Sequence, residues 1–290
     1  MPVTHAALLR AALAVLLALP AACATTPRPS SPADTPLRVM TFNVRVPTDA
    51  DGADRWDARR AIAVRMLQRA DADLVGTQEL FQRQGDEIVA ALPQYRWFGR
   101  DRRGGHADEH MGVFHRADRL RLLDSGDFWL SDTPGVPGSI TWGNLYPRMV
   151  TWARFERVGS GRRFTVFNTH LPYRDQDEAA RVRGAQLLAA RIAALPRDEP
   201  VIVTGDFNAA PETGAHAALL AAGLRDAWSV SATRSGPEAT FHAFTGQPDK
   251  RIDWILVRGF GVRAVRTIDD SEGGRYPSDH FPVVAELTLP

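Results

Sequence analysis

Short apolar runs recur along this chain, and many of them begin or stop at an acid, an amide or an imidazole. Asn43 closes the run 38–42, and Glu79 follows 74–77. Asn168 and His170 end the stretch 163–170, and Asp206 and Asn208 follow 201–204. Asp253 opens 252–257, and Asp279 with His280 precedes 281–289. Runs of this length, rich in Val, Thr, Phe and Ile, are strand signals. Side chains two apart on an extended chain face the same way, so Asn168 shares a direction with His170, and Asp206 with Asn208. If these ends gather at one sheet edge, they form a cleft of carboxylates, amides and histidines.

The intervening stretches set the fold class. A helix is expected over 55–70 with Asp54 as its cap, and another over 84–92, stopped by Pro93. A third is expected over 177–195, with Val182, Ala185, Ala189 and Ile192 in register, and a fourth over 213–222, closed by Gly223. Further strands are expected over 111–115, 119–123, 150–157 and 261–268. Gly159-Ser160-Gly161 between 150–157 and 163–170 signals a hairpin. Strands that both alternate with helices and pair as hairpins argue for an α/β fold with mixed sheets, not a purely parallel barrel.

Composition narrows the chemistry. The chain has 290 residues, 44% hydrophobic and 24% charged, with a formal net charge of +1. That excludes a disordered or coiled-coil protein and a strongly basic nucleic-acid coat. A single cysteine excludes an internal disulfide and a CxxC zinc site, so a bound metal must take oxygen and imidazole ligands, which favours Mg, Mn or Ca.

Residues 1–23 read as an export signal, with a short apolar core below the ~20 residues that span a bilayer. Cys23 at its end fits lipidation, although Pro20 stands where an aliphatic residue is usual; simple secretion with cleavage after Ala24 is the other reading. Residues 24–36 are a Pro/Ser/Thr-rich tether, and 37–290 form one domain. The expected location is the periplasm or the outer membrane, with Cys23 as the membrane tether, or secretion otherwise.

The polar set fits metal-assisted hydrolysis of a phosphate ester. Glu79, Asp279 and Asn43 offer oxygens to Mg²⁺. A histidine such as His280, oriented by Asp253, can take a proton from water. Asn208 and His170 can stabilise the oxyanion. Singly, each residue has an ordinary reading. Gly205-Asp206-Phe207-Asn208 is a turn signal, Glu79 could cap a helix, and a histidine at a strand end is usually half-exposed.

The strings Thr41-Phe42-Asn43, Gln78-Glu79, Asn168-Thr169-His170, Gly205-Asp206-Phe207-Asn208, Arg251-Ile252-Asp253-Trp254-Ile255 and Ser278-Asp279-His280-Phe281-Pro282, in this order, resemble those of the endonuclease/exonuclease/phosphatase superfamily, in a bacterial exported branch. The resemblance implies a DNase I-like, four-layered α/β/β/α sandwich of two mixed sheets and divalent-metal-dependent hydrolysis of phosphate esters, usually with Mg²⁺, otherwise Mn²⁺ or Ca²⁺. It implies Glu79 as main metal ligand with Asn43 and Asp279 nearby. Asp206 would orient or activate water, Asn208 bind the transition state, His280 pair with Asp253, and His170 bond the phosphate. Which of Asp206 and His280 takes the proton stays open.

Arg148 matches a position often basic in the superfamily and is read as a phosphate grip or, equally, a surface ion pair. Asn168 and His242 are further candidate substrate contacts. Glu109, His110 and the basic run Arg100, Arg102, Arg103 read as solvated loop residues, with the rim of the cleft as the second reading. The substrate expected is a phosphate ester in nucleic acid, lipid head group or small metabolite. A phosphodiesterase or nuclease-like enzyme, acting as a monomer, leads. A phosphomonoesterase or sphingomyelinase-like enzyme is the alternative, and an inactive tethered binding module a remote third.

Overall fold

The computed structural model describes residues 1–3 and 35–289; Cys23 and nearly all of the expected signal and tether lie outside them. Among the described residues no helix is long and apolar enough to cross a membrane.

Strands β1 (Leu37–Asn43), β2 (Leu74–Gln78), β3 (Tyr95–Phe98) and β4 (Val113–Arg116) open one sheet. The chain then enters a second sheet through β5 (Leu120–Trp129), β6 (Met149–Arg157), β7 (Arg163–His170), β8 (Val201–Asp206) and β9 (Arg225–Asp226). It returns through β10 (Arg234–Ser235), crosses once more for β11 (Asp253–Arg258), and ends in the first sheet with β12 (Gly261–Thr267) and β13 (Val283–Thr288). The strand orders are β10-β12-β13-β1-β2-β4-β3 and β5-β6-β7-β8-β11-β9. Both sheets are mixed: β1 runs parallel to β2 and antiparallel to β13, β7 parallel to β8, and β8 antiparallel to β11.

Alternation sorts the apolar side chains. Val39, Leu74, Phe164, Val166, Ile202, Ile255, Val283 and Ala285 fill the space between the sheets. Met40, Phe42 and Val75 face outward beneath helices α1 (Trp56–Ala70) and α2 (Gln82–Ala91). Phe167, Val201, Val203, Trp254 and Leu256 face outward beneath α3 (Glu178–Ala193) and α4 (Gly214–Ala221). A short α5 (Ala227–Val230) follows β9. The result is the four-layered α/β/β/α sandwich.

Three local expectations needed correction. Helix α1 begins at Trp56 with Arg55, not Asp54, before it; Asp54 ends a separate 3₁₀ turn, Asp49–Asp54. Strand β5 runs on to Trp129 beyond a bulge at Leu122/Asp124, because an edge strand tolerates its polar stretch Asp124-Ser125-Gly126-Asp127. The short strands β3, β9 and β10 and the one-turn α5 had no readable period.

The sheets touch closely at Gly76. A Cβ there would fall 2.0 Å from Thr204 Oγ1 and 2.6 Å from Asn168 Oδ1, so only glycine allows the approach.

Candidate active site

The inward face of each central strand turns from apolar to polar toward one shared edge. On β1 the inward series is Val39, Thr41, Asn43; on β7 it is Val166, Asn168, His170; on β8 it is Ile202, Thr204, Asp206. Asp253 opens β11 opposite Asp206, and His170 lies beside Asp206 in register. Glu79 stands one residue past β2 with φ 58, a left-handed backbone that re-aims its side chain at Asn43. Asn208 has the same feature at φ 47. Asp279 and His280 arrive just ahead of β13. The structure thus brings Asn43, Glu79, Asp279 and His280 of one sheet to His170, Asp206, Asn208 and Asp253 of the other.

Asn43 Nδ2 donates to Glu79 Oε1 and to Asp206 Oδ2, each at 3.0 Å, and its oxygen accepts the Arg45 amide. Placed so, Asn43 bridges two carboxylates through its amide nitrogen. Glu79 Oε2 accepts the Val46 amide. Arg45 is held by Asp51 and lies 3.7 Å from Asp279 and 4.0 Å from Glu79. Buried Arg59 of α1 collects the carbonyls of Val44, Arg45, Asp54 and Pro277, tying the loop after β1 to the segment that presents Asp279.

His280 Nδ1 lies 2.9 Å from Asp253 Oδ2, and its Nε2 lies 3.8 Å from Asp206. Burial opposes the imidazolium, but Asp253 and Asp206 outweigh it and push His280 up to about 10. Burial and repulsion from Asp253 push Asp206 up to about 7. His170 Nε2 sits 2.9 Å from Asn208 Nδ2 and 3.4 Å from Asp206. Burial, with Arg148 and His280 nearby, holds His170 well below its usual range, so it is a neutral imidazole.

The cleft above this edge encloses ≈ 680 Å³. Arg148 lines it; it is buried and makes no ion pair among the described residues, and its Nη1 lacks a hydrogen-bond partner. The surface-ion-pair reading of Arg148 is therefore set aside. The solvated-loop reading of Arg102 and Glu109 fails as well. Asp101 accepts hydrogen bonds from the amides of Arg103, Gly105, Ala107 and Asp108, which winds 101–110 into a compact loop. That loop places Glu109 and Arg102 on the cleft wall, 2.8 Å apart, with the Arg102 guanidinium over Tyr146. Burial and Glu79 push Glu109 up to about 7. His110 is buried beneath them against the Leu80 carbonyl.

Two predicted substrate contacts lie off the cleft. Asn168 is fully buried between the sheets, accepting from Gln78 and Thr204 and donating to the carbonyls of Thr77 and Gly112. It is a cross-tie, with no group left for a substrate. His242 is buried in a stack with Phe281, ring centroids 4.0 Å apart, and burial holds it at about 4.

The donor set suits a hard divalent cation. Ligand atoms of Glu79, His170 and Asp206 lie within 4.8 Å of one another. Asp206 and Asp279 are held above the usual carboxylate range, Asp279 partly by Glu79, so the cluster carries negative charge that a cation would relieve.

The profile of the Endonuclease/Exonuclease/phosphatase family matches residues 40–280. The chain is 32% identical over 142 residues to the uncharacterized protein YbhP of Escherichia coli K12, a match covering 49% of this chain and 53% of that one. It thus spans about half the length of the curated relatives it matches. Among solved structures, it resembles an endonuclease/exonuclease/phosphatase family protein of Bacteroides thetaiotaomicron, at 34% identity and TM-score 0.83, over 88% of this chain and 98% of the other. It also resembles a mannosyl-6-phosphatase of the same species, at 33% identity and TM-score 0.81, over 87% of this chain and all (100%) of the other.

Proposed function

Because the chain belongs to the endonuclease/exonuclease/phosphatase family, whose members hydrolyse phosphoesters with the help of divalent metal, we propose that it removes the phosphoryl group from a small phosphomonoester by direct water attack. The observation that supports this most is the pairing of charges on the cleft wall. Arg45, Arg102 and Arg251 are each tied to carboxylates: Asp51; Asp108 and Glu109; Asp226. A polynucleotide track needs several uncommitted cations, and this wall offers only Arg148 deep inside and Lys250 at the rim. The likeness to a mannosyl-6-phosphatase supports a sugar phosphate as the substrate class.

The residues divide the work as follows. Glu79 and Asp279 would hold the cation, which when bound neutralises phosphoryl charge. Arg148 pairs with a phosphoryl oxygen. His280, kept cationic by Asp253, donates to another. Asp206, close to neutral pH in its proton affinity, accepts the proton of the attacking water. Asn208 Nδ2, which donates to the Nε2 of neutral His170 and to the Leu171 carbonyl, turns an N–H to an oxygen of the transition state, and His170 positions it.

The test is a panel of mannose 6-phosphate, glucose 6-phosphate, bis-p-nitrophenyl phosphate, sphingomyelin and plasmid DNA, with Mg²⁺ or with chelator. Phosphate release from the sugar esters, lost with chelator, supports the proposal. Faster cleavage of the diester or of DNA returns the diesterase reading to first place, and no turnover of any ester ends both.

A further inference from the structure

Lys250 is the single lysine of the chain; every other basic residue among its 35 is an arginine. It stands at the rim of the cleft. Its carbonyl accepts the amides of Thr240 and Phe241, and Phe241 bridges to His280, so the backbone fixes Lys250 one strand-like step from the reacting centre. Its ammonium lies over the Phe241 ring at 5.6 Å, and the same ring meets the His280 imidazole edge-on at 5.0 Å. Of the cleft-wall cations, Arg45, Arg102 and Arg251 have carboxylate partners and Arg148 is buried at depth. Lys250 is exposed and has no carboxylate within ion-pair distance among the described residues.

Resting on the phosphoester-hydrolase reading, we propose that Lys250 is a specificity residue that holds a second anionic group of the substrate, distinct from the scissile phosphoryl. A compact ammonium on a flexible stem suits such a role, since it meets a carboxylate or a phosphoryl as a point charge without demanding a planar partner. The Phe241 face beneath it removes water from one side, which strengthens the contact. The preferred substrate is then a sugar or polyol phosphate with a carboxylate or second phosphoryl at its far end.

Two readouts test this. The first compares kcat/KM for 6-phosphogluconate and glucose 6-phosphate in the wild type, Lys250→Ala and Lys250→Arg. The expected result is a preference for 6-phosphogluconate that falls about tenfold in Lys250→Ala, the scale of one lost charged hydrogen bond, and is partly kept in Lys250→Arg. The second needs no turnover. A single lysine allows trinitrobenzenesulfonate modification of Lys250 to be followed on one peptide, and 6-phosphogluconate should slow it more than glucose 6-phosphate does. Equal protection by the two esters, or none, together with an unchanged preference in Lys250→Ala overturns the proposal. Hydrolysis of both esters without protection sinks only the Lys250 assignment. Selective protection without hydrolysis of either sinks only the hydrolase reading.

Discussion

His280 Nδ1 and Asp253 Oδ2 lie 2.9 Å apart, one from each sheet, and both side chains are buried. The carboxylate fixes the ring and keeps it charged. Asp253→Asn should therefore lower kcat of the folded protein by about 10²–10⁴-fold, the scale seen when a carboxylate orienting a histidine is neutralised, and should lower the melting temperature as well, because a buried ion pair is broken. Steady-state kinetics check it, and a loss under tenfold removes Asp253 from that role.

Asp206 makes stability depend on pH. Its value rises from 3.8 to about 7 in the fold. An acid raised in this way binds its proton more tightly folded than unfolded. Its stabilising contribution is complete below pH 3.8 and is lost as the pH climbs through 7. Asp206→Asn keeps the neutral shape, so at pH 8 without metal it should exceed the wild type in stability by about 1–3 kcal/mol, the scale of active-site charge relief. The two should converge near pH 4. Urea titrations at both pH values measure this, and a less stable variant at pH 8 contradicts it.

Glu79 should carry the response to metal. In the wild type, millimolar Mg²⁺ should raise the melting temperature, because binding to the folded state alone adds stability by mass action. In Glu79→Gln the shift should disappear, with hydrolysis reduced by about 10³-fold, as when a group stabilising transition-state charge is removed. An unchanged Mg²⁺ shift in the variant places the cation elsewhere.

Asn168 should behave as structure. Replacing it by Ala removes, inside the core, the acceptor of Gln78 and Thr204 and a donor to the Thr77 and Gly112 carbonyls. The cost should be about 2–4 kcal/mol, with KM of the folded fraction nearly unchanged. Denaturant unfolding and kinetics separate the two, and a large rise in KM with full stability restores Asn168 as a substrate contact.

The strand ends were readable because burial and alternation leave a signature: an apolar run that turns polar on one face only. That rule located Asn43, Glu79, His170, Asp206, Asn208, Asp253, Asp279 and His280 before any coordinates. It failed for Asn168, since the same alternation cannot tell a polar residue facing the cleft from one tying sheet to sheet beneath it. For Arg102 and Glu109 the sequence offered the cleft rim only as the weaker reading, for a different cause. Their burial depends on how Asp101 gathers the surrounding amides, and a loop rich in charge and glycine gives no periodicity to betray it. His242 misled because it is near His280 in contact order yet turned toward Phe281.

The path of the chain has a consequence for how the protein comes alive. Since it leaves the first sheet after β4, and supplies β11 to the second sheet before closing the first with β12 and β13, the second sheet is finished only by β11 and the first only by the last strand, β13. During refolding from urea, helical ellipticity and one layer of strands can return early, but turnover must wait for β13 to dock. Regained activity is therefore a late clock for assembly of the entire molecule.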